Sequence, residues 1–295
     1  MSVQITTAFV QAYSSAVQLL SQQRASYLRS GVRVETGVVG KRAFFDQVGA
    51  SAARKRTSRH ADTPLMNTPH ARRSVPMVDY DWADLIDKED TVRTLGEFTN
   101  PYTQAAAGAM GRAMDDELIA AADGTAFTGE EGATQTAFDT NMIVNVQVGI
   151  TPAADTGLNV GKLRRAKRLL DANEVDPIIP RFIACNAVQM DKLLGETQAT
   201  SADFNTVKAL VQGEINSFVG FTFLTSQRLG VDSSNDHKIL FWAQNGLLLA
   251  IGAEPTPRIA ERPDKNFATQ AFYAMTIGAT RMEEAKVGYI ACDVT

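Results

Sequence analysis

Two cysteines and three histidines are spread over 295 residues. That is too few for a disulfide framework or a zinc site, both of which need closer and more numerous ligands. Cys185 and Cys292 sit in apolar runs and read as small buried hydrophobes. None of His60, His70 and His237 stands at metal-ligand spacing from another His or Cys. Long hydrophobic runs are missing as well. The apolar stretch from Gly246 to Gly252 falls far short of the roughly 20 residues that cross a bilayer. Residues 1–7 lack the basic flank and apolar core of a signal peptide. These absences lead us to expect a soluble protein made in a cytoplasm, with no membrane partner.

Catalytic signatures are absent too. There is no G-x-S-x-G elbow, no H-E-x-x-H and no G-x-G-x-x-G after a strand. The run from Gly157 to Lys162 is one residue too short for a phosphate loop, and Leu163 stands where Ser or Thr would hold magnesium. It reads equally well as the first turn of a helix. Adjacent acids such as Asp115-Asp116 and Glu283-Glu284 point apart rather than converge. No catalytic residue, metal or cofactor is expected.

What is there is a chain large enough for a sizeable core, with 44% hydrophobic residues. Residues 6–29 read as a helix with Phe9, Tyr13, Val17 and Leu20 on one face, suited to docking on a neighbour. A strand-like run from Val38 to Val48 precedes a polar stretch, about residues 49–73. Then Val78, Tyr80 and Trp82 alternate with Asp79 and Asp81, the period of a strand with one buried face. A structureless loop of that length is normally functional. The expectation is an extended two-stranded arm with a long tip.

Asn100-Pro101 starts a helix by a definite mechanism: Asn caps free amides, and Pro at the first position loses nothing. It should run from Pro101 to about Ala122 and stop at Asp123-Gly124. Its interior is small, with Gly108 and Gly111 among alanines and Met110, Met114 and Leu118 as anchors. Two glycines inside a helix cost about 1 kcal/mol each against alanine. Close approach of another backbone would offset that, so these four Gly and Met positions are expected to pack the helix. A second amphipathic helix covers about Leu158 to Asn173, with Leu163, Ala166 and Leu170 on its apolar face. Beyond it come a strand (PRFIACNA), a short helix (VQMDKLLG) and another strand (SFVGFTFLTS). Two more strands follow around Gln244-Asn245-Gly246, a tight-turn signal, and a final segment runs from Phe267 to Val294. The order is α+β, not regular alternation.

Charge is segregated. Between Lys41 and Arg73 lie eight basic residues (Lys41, Arg42, Arg54, Lys55, Arg56, Arg59, Arg72 and Arg73) against two acids, Asp46 and Asp62. From Asp79 to Asp90 the balance reverses, with Asp79, Asp81, Asp84, Asp87, Glu89 and Asp90 against Lys88. Basic clusters neutralise phosphates, but residues 49–73 offer no aromatic for base stacking. A second reading is that Arg54, Lys55, Arg56, Arg59, Arg72 and Arg73 meet acids such as Asp79, Asp81 and Asp84 on a second copy, and a third is a plain solvated loop. The basic helix face formed by Lys162, Arg164, Arg165, Lys167 and Arg168 reads as solvated or partner-facing.

The order of these parts resembles the tailed-phage major capsid proteins of the Hong Kong 97 type, over nearly the whole chain. The residues that carry it are Ala121 to Thr125 after the long helix, Leu163, Leu170 and Pro180 to Ile183, Gly213 to Ile215 with Val219 to Phe221, and Asp264 to Phe267. The resemblance implies an N-terminal arm (1–36), an E-loop (37–90), a P-domain with a spine helix (91–140), an A-domain (141–255) and a P-domain return (256–295). It implies assembly of pentamers and hexamers into an icosahedral virion shell around double-stranded DNA, in the host bacterial cytoplasm. Its partners would be a portal, a separate scaffolding protein and, in some relatives, a decoration protein. Because the arm begins almost at once, no large N-terminal cleavage is expected. Some members cross-link an E-loop lysine to a P-domain asparagine with a glutamate as base. Gln270 and Ile277 stand at those last two positions, which argues against cross-linking even with Lys55 in the loop. Two rival readings are an encapsulin-like protein compartment and a basic-armed DNA-binding protein.

Overall fold

A computed structural model describes residues 22–60, 62–63, 65–86, 99–148, 154–195 and 217–294. Most of the expected N-terminal helix, the acids at 87–90 and the Gly213 to Ile215 motif lie outside the described residues. The part of that helix which is described, residues 22–28, is irregular and leads into a short 3-10 turn, Arg29–Gly31.

Three sheets organise the chain. The first has the order β1-β12-β13-β4, from β1 (Arg33–Thr36), β12 (Leu247–Arg262), β13 (Ala268–Arg281) and β4 (Val78–Ile86). The second has the order β7-β14-β11-β8-β10-β9 and holds the large buried aromatics Trp242, Phe241 and Phe221. Its strands are β7 (Ile143–Val144), β8 (Arg181–Cys185), β9 (Ser217–Phe218), β10 (Phe221–Thr225), β11 (His237–Ala243) and β14 (Val287–Cys292). The third is β2-β3-β5-β6, with β2 (Arg42–Val48), β3 (His70–Pro76), β5 (Ala126–Thr128) and β6 (Thr134–Thr136).

The sheets correct the expected arm. β2 pairs antiparallel with β3, Arg42 opposite Pro76 through Val48 opposite His70. The alternating strand β4 does not return along the arm; it pairs with β13 as an edge of the first sheet. The physical reason is its inner face: Tyr80 and Trp82 pack against the main core, which the arm does not reach. The polar stretch is also shorter than expected, because residues 70–73 belong to β3.

The segments 37–90 and 256–295, each expected as one unit, therefore divide between sheets. So do β11 and β12: the turn Gln244–Gly246 joins them not as a hairpin but as a crossing from the second sheet to the first. β13 and β14 repeat that crossing in the opposite direction through residues 282–286.

Helix α1 (Thr99–Asp123) lies across β12, β13 and β4. Ala106, Met110, Met114, Leu118 and Ala122, spaced four apart, form its buried stripe. Burial of such a stripe holds a helix that its glycines would otherwise weaken. Helix α2 (Val160–Ala172) is capped by Asn159, whose side chain accepts from the Lys162 amide at 2.8 Å. It packs on β14 and β7 through Leu163, Ala166 and Leu170. Helix α3 (Ala187–Gly195) completes the second layer.

Candidate assembly surfaces

The arm has a fixed root and a bare tip. At the root, Arg72 on β3 pairs with Asp46 on β2 at 2.6 Å, and hydrogen bonding to that guanidinium holds the exposed Asp46 carboxyl below its usual range. Arg42 lies over the Phe127 ring and donates to the Gly132 carbonyl at 2.8 Å, tying the arm to β5 and the turn beyond it. Arg73 is 5% exposed, pairs with Glu284 at 2.5 Å and donates to the Met282 carbonyl. Glu284 also faces Arg281 at 3.6 Å, whose guanidinium is wholly buried and donates to the carbonyls of Ala122 and Gly124 at the end of α1. Burial lowers the Arg281 pKa from its ordinary value. One carboxylate thus balances two buried arginines where arm, α1 and the β13–β14 turn meet.

The candidate contact residues therefore fall into two groups. Arg72 and Arg73 are committed within the chain. Arg54, Lys55, Arg56 and Arg59 occupy the tip, where every residue from Gly49 to His60 is exposed. Arg56 curls back onto the carbonyls of Ser58 and Arg59. On the acidic side, Asp79 and Asp81 are exposed on edge strand β4, and Asp79 accepts from the Thr276 hydroxyl at 2.6 Å. Asp84 is half-buried and accepts from the Leu85 amide. Carboxylates along an edge strand discourage unspecific strand pairing.

A second surface lies along α1. Gly108 and Gly111 touch the backbone of residues 23–26: a Cβ on Gly111 would meet Ala25 C and Ser26 N at 2.7 Å. Asp115, one turn further along that face and wholly buried, fastens the segment. It accepts from the Ser26 hydroxyl at 2.6 Å, the Tyr27 amide at 3.1 Å, the Leu28 amide at 3.2 Å and the Gln23 amide group. The neighbouring acids turn elsewhere, Asp116 to Arg228 and Glu117 to the Tyr80 hydroxyl. Burial, reinforced by that carboxylate, pushes the Tyr80 pKa up to about 12. Met110 and Met114 are part of the core on the adjacent face.

Sequence reasoning missed the buried charges, Arg181 and Arg281 as well as Asp115, Lys162 and Arg73. Asp115 stands seven residues after Gly108 and four after Gly111, on the glycine face of the helix. Lys162 stands four before Ala166 and eight before Leu170, on the buried stripe of α2. It is no part of an exposed basic face: its ammonium donates to the carbonyls of Thr156 at 2.5 Å and Ala291 at 2.8 Å, and burial lowers its pKa. Arg73 carried no such signal, because it lies in a basic run. Among the described residues no group of His, Cys, Asp or Glu could hold a metal ion, and no helix is long and apolar enough to cross a membrane.

Solved phage capsids share this fold. The capsid of cyanophage P-SCSP1u superposes with a TM-score of 0.75 at 16% identity, covering 99% of this chain and 95% of that one. The capsid of Ralstonia phage GP4 gives 0.73 at 13% identity, with 97% and 96% covered. The head of Helicobacter pylori bacteriophage KHP40 gives 0.73 at 10% identity, with 99% and 98% covered. No curated protein sequence matches. The phage capsid protein family matches residues 5–294, and the chain belongs to that family. It is a phage capsid protein, a structural protein rather than an enzyme. The compartment and DNA-binding readings yield to that membership.

Proposed function

We propose that this subunit builds an icosahedral shell of pentamers and hexamers around the double-stranded DNA of a tailed phage. A portal and a separate scaffolding protein are its partners during assembly. In this reading the β2–β3 hairpin is the working part of an E-loop. Helix α1 with the first sheet forms a P-domain, and the second sheet with α2 and α3 forms an A-domain. The arm reaches over a neighbouring copy, and Arg54, Lys55, Arg56 and Arg59 meet its Asp79 and Asp81.

The observation that carries this is the contrast along one hairpin. Its root is pinned by Arg73, Glu284 and Arg281, while its tip from Gly49 to His60 is exposed throughout. Ordering a loop of that length costs about 1–2 kcal/mol per residue, which contacts beyond the chain would offset. One exposed ion pair contributes at most about 1 kcal/mol, but every subunit repeats the cluster.

The test is joint charge reversal at Arg54, Arg56 and Arg59, followed by electron microscopy of assembly without DNA. Empty shells should fail or become rare, and Asp79→Lys with Asp81→Lys should partly restore them. Normal empty shells that retain DNA poorly would send the tip inward to nucleic acid instead.

A further inference from the structure

The outer face of α2 carries a second cationic surface that the arm does not explain. Arg164, Lys167 and Arg168 are exposed and Arg165 is half-buried, while Lys162 is spent in the interior. Among the described residues none of the three exposed cations forms an ion pair with this chain. Asp171, the one acid of the helix, is held by the buried guanidinium of Arg181 at 2.7 Å. Glu174 lies beyond the helix end.

The cations border a shallow open groove floored by Ala172 and Val219, with the Arg181-paired Asp171 also on its edge. Val219 and Gly220 both adopt positive φ, 53° and 83°, so the β9–β10 turn folds tightly beside the helix. The ammonium of Lys167 lies over that turn, 3.8 Å from where a Cβ on Gly220 would stand.

From this geometry we infer that the Arg164, Lys167 and Arg168 face of α2 binds the phosphate backbone of duplex DNA without regard to sequence. The inference rests on the proposed shell function and names the surface that would meet the packaged genome.

The composition and spacing of this face favour duplex phosphates over a second protein copy or single-stranded bases. Stable protein interfaces bury an apolar or aromatic centre, and this groove offers only Ala172 and Val219. Interfaces with DNA are more polar and far more cationic. No aromatic lines the groove, which disfavours stacking of single-stranded bases and leaves phosphate contact. Residues 164 and 168 are one helical turn apart, about 6 Å along the axis, so they can reach successive phosphates. The subunit as a whole carries a net charge of −4. Such a subunit repels DNA unless its cations are gathered where the two meet.

The test compares the full-length chain with Arg164→Gln/Lys167→Gln/Arg168→Gln. These exposed positions should leave thermal unfolding unchanged. Binding to a random-sequence duplex is measured by fluorescence anisotropy across a salt series, and shells are counted by electron microscopy. The expected result is about tenfold weaker binding at moderate salt. The log affinity against log salt plot should be shallower by about 2–3, as three lost phosphate contacts require, with shell yield intact. An unchanged slope, or no DNA binding by the parent chain, overturns the inference. Lost shells with unchanged DNA binding also overturn it and assign the face to a second copy. Failure of the parent chain to form shells would count against the shell function instead, since the soluble binding measurement does not depend on assembly.

Discussion

The buried carboxylate of Asp115 accepts the hydroxyl hydrogen of Ser26 at 2.6 Å, across 89 positions of sequence. With the amides of Tyr27 and Leu28 on the same carboxylate, it fixes where the N-terminal segment leaves the body. Asp115→Ala would strand those donors, the buried Leu28 amide among them. Hydrogen bonds to a charged group contribute about 1.5–3 kcal/mol each, but they share one acceptor and do not add. We expect a loss of about 3 kcal/mol in denaturant unfolding and faster amide exchange at residues 26–28. Unchanged exchange there would remove the anchoring role.

Gly111→Ala sets two effects against each other. At a solvent-facing helix position alanine would stabilise by about 1 kcal/mol. Here its Cβ would press on the backbone at Ala25 and Ser26, where no flexible side chain can yield. The clash should win, with a net cost of about 1–3 kcal/mol and a lower melting temperature. Gly111→Leu should be worse and should block assembly. A rise in melting temperature for the alanine variant would mean the segment does not dock.

Glu284→Gln removes the carboxylate that Arg73 and Arg281 share. Breaking a buried pair costs about 3–5 kcal/mol, and partial exposure of Glu284 places this case at the lower end. Adding Arg73→Met should recover part of the loss, which a double-mutant cycle in urea measures. Strict additivity of the two changes would show that the arginine and glutamate do not act together.

Burial pushes the thiols of Cys185 and Cys292 up to about 12 from an ordinary value of 9.0. Unfolding therefore releases protons between those limits, so stability holds below pH 9 and falls as pH rises toward 12. Iodoacetamide at pH 8 should leave both thiols unmodified in the native protein and alkylate both in denaturant, as mass spectrometry reads. Rapid native labelling of either would contradict its burial.

The sequence announced some elements more clearly than others, for physical reasons. The Asn100-Pro101 signal and the Asp123-Gly124 stop bracket α1 to within two residues, but the helix already includes Thr99, so Asn100 stands inside it and not at the expected cap. The alternation of Tyr80 and Trp82 with acids marked β4 as a strand, yet could not name its partner, because periodicity reports a buried face and not what covers it. Residues 253–262 escaped notice as strand because Pro255 and Pro257 interrupt them. They pair with β13 on one side only, since β1 ends opposite Ile251, and an edge tolerates missing amides. Of the assembly surfaces, the exposed tip cations and the β4 acids were legible from charge runs. The committed roles of Arg73, Lys162 and Asp115 were not, because distant segments create their burial.

The two crossings between sheets touch each other. The Met282 amide donates to the Gly246 carbonyl at 2.8 Å, and a Cβ on Gly246 would stand 2.9 Å from the Lys286 carbonyl oxygen. Two covalent connections that run side by side and are stitched together cannot slide independently. The first and second sheets consequently behave as one stiff plate, with the long β12–β13 hairpin rooted in it. Stretch applied to a wall made of such plates would be taken up at the contacts between them, leaving each core undeformed.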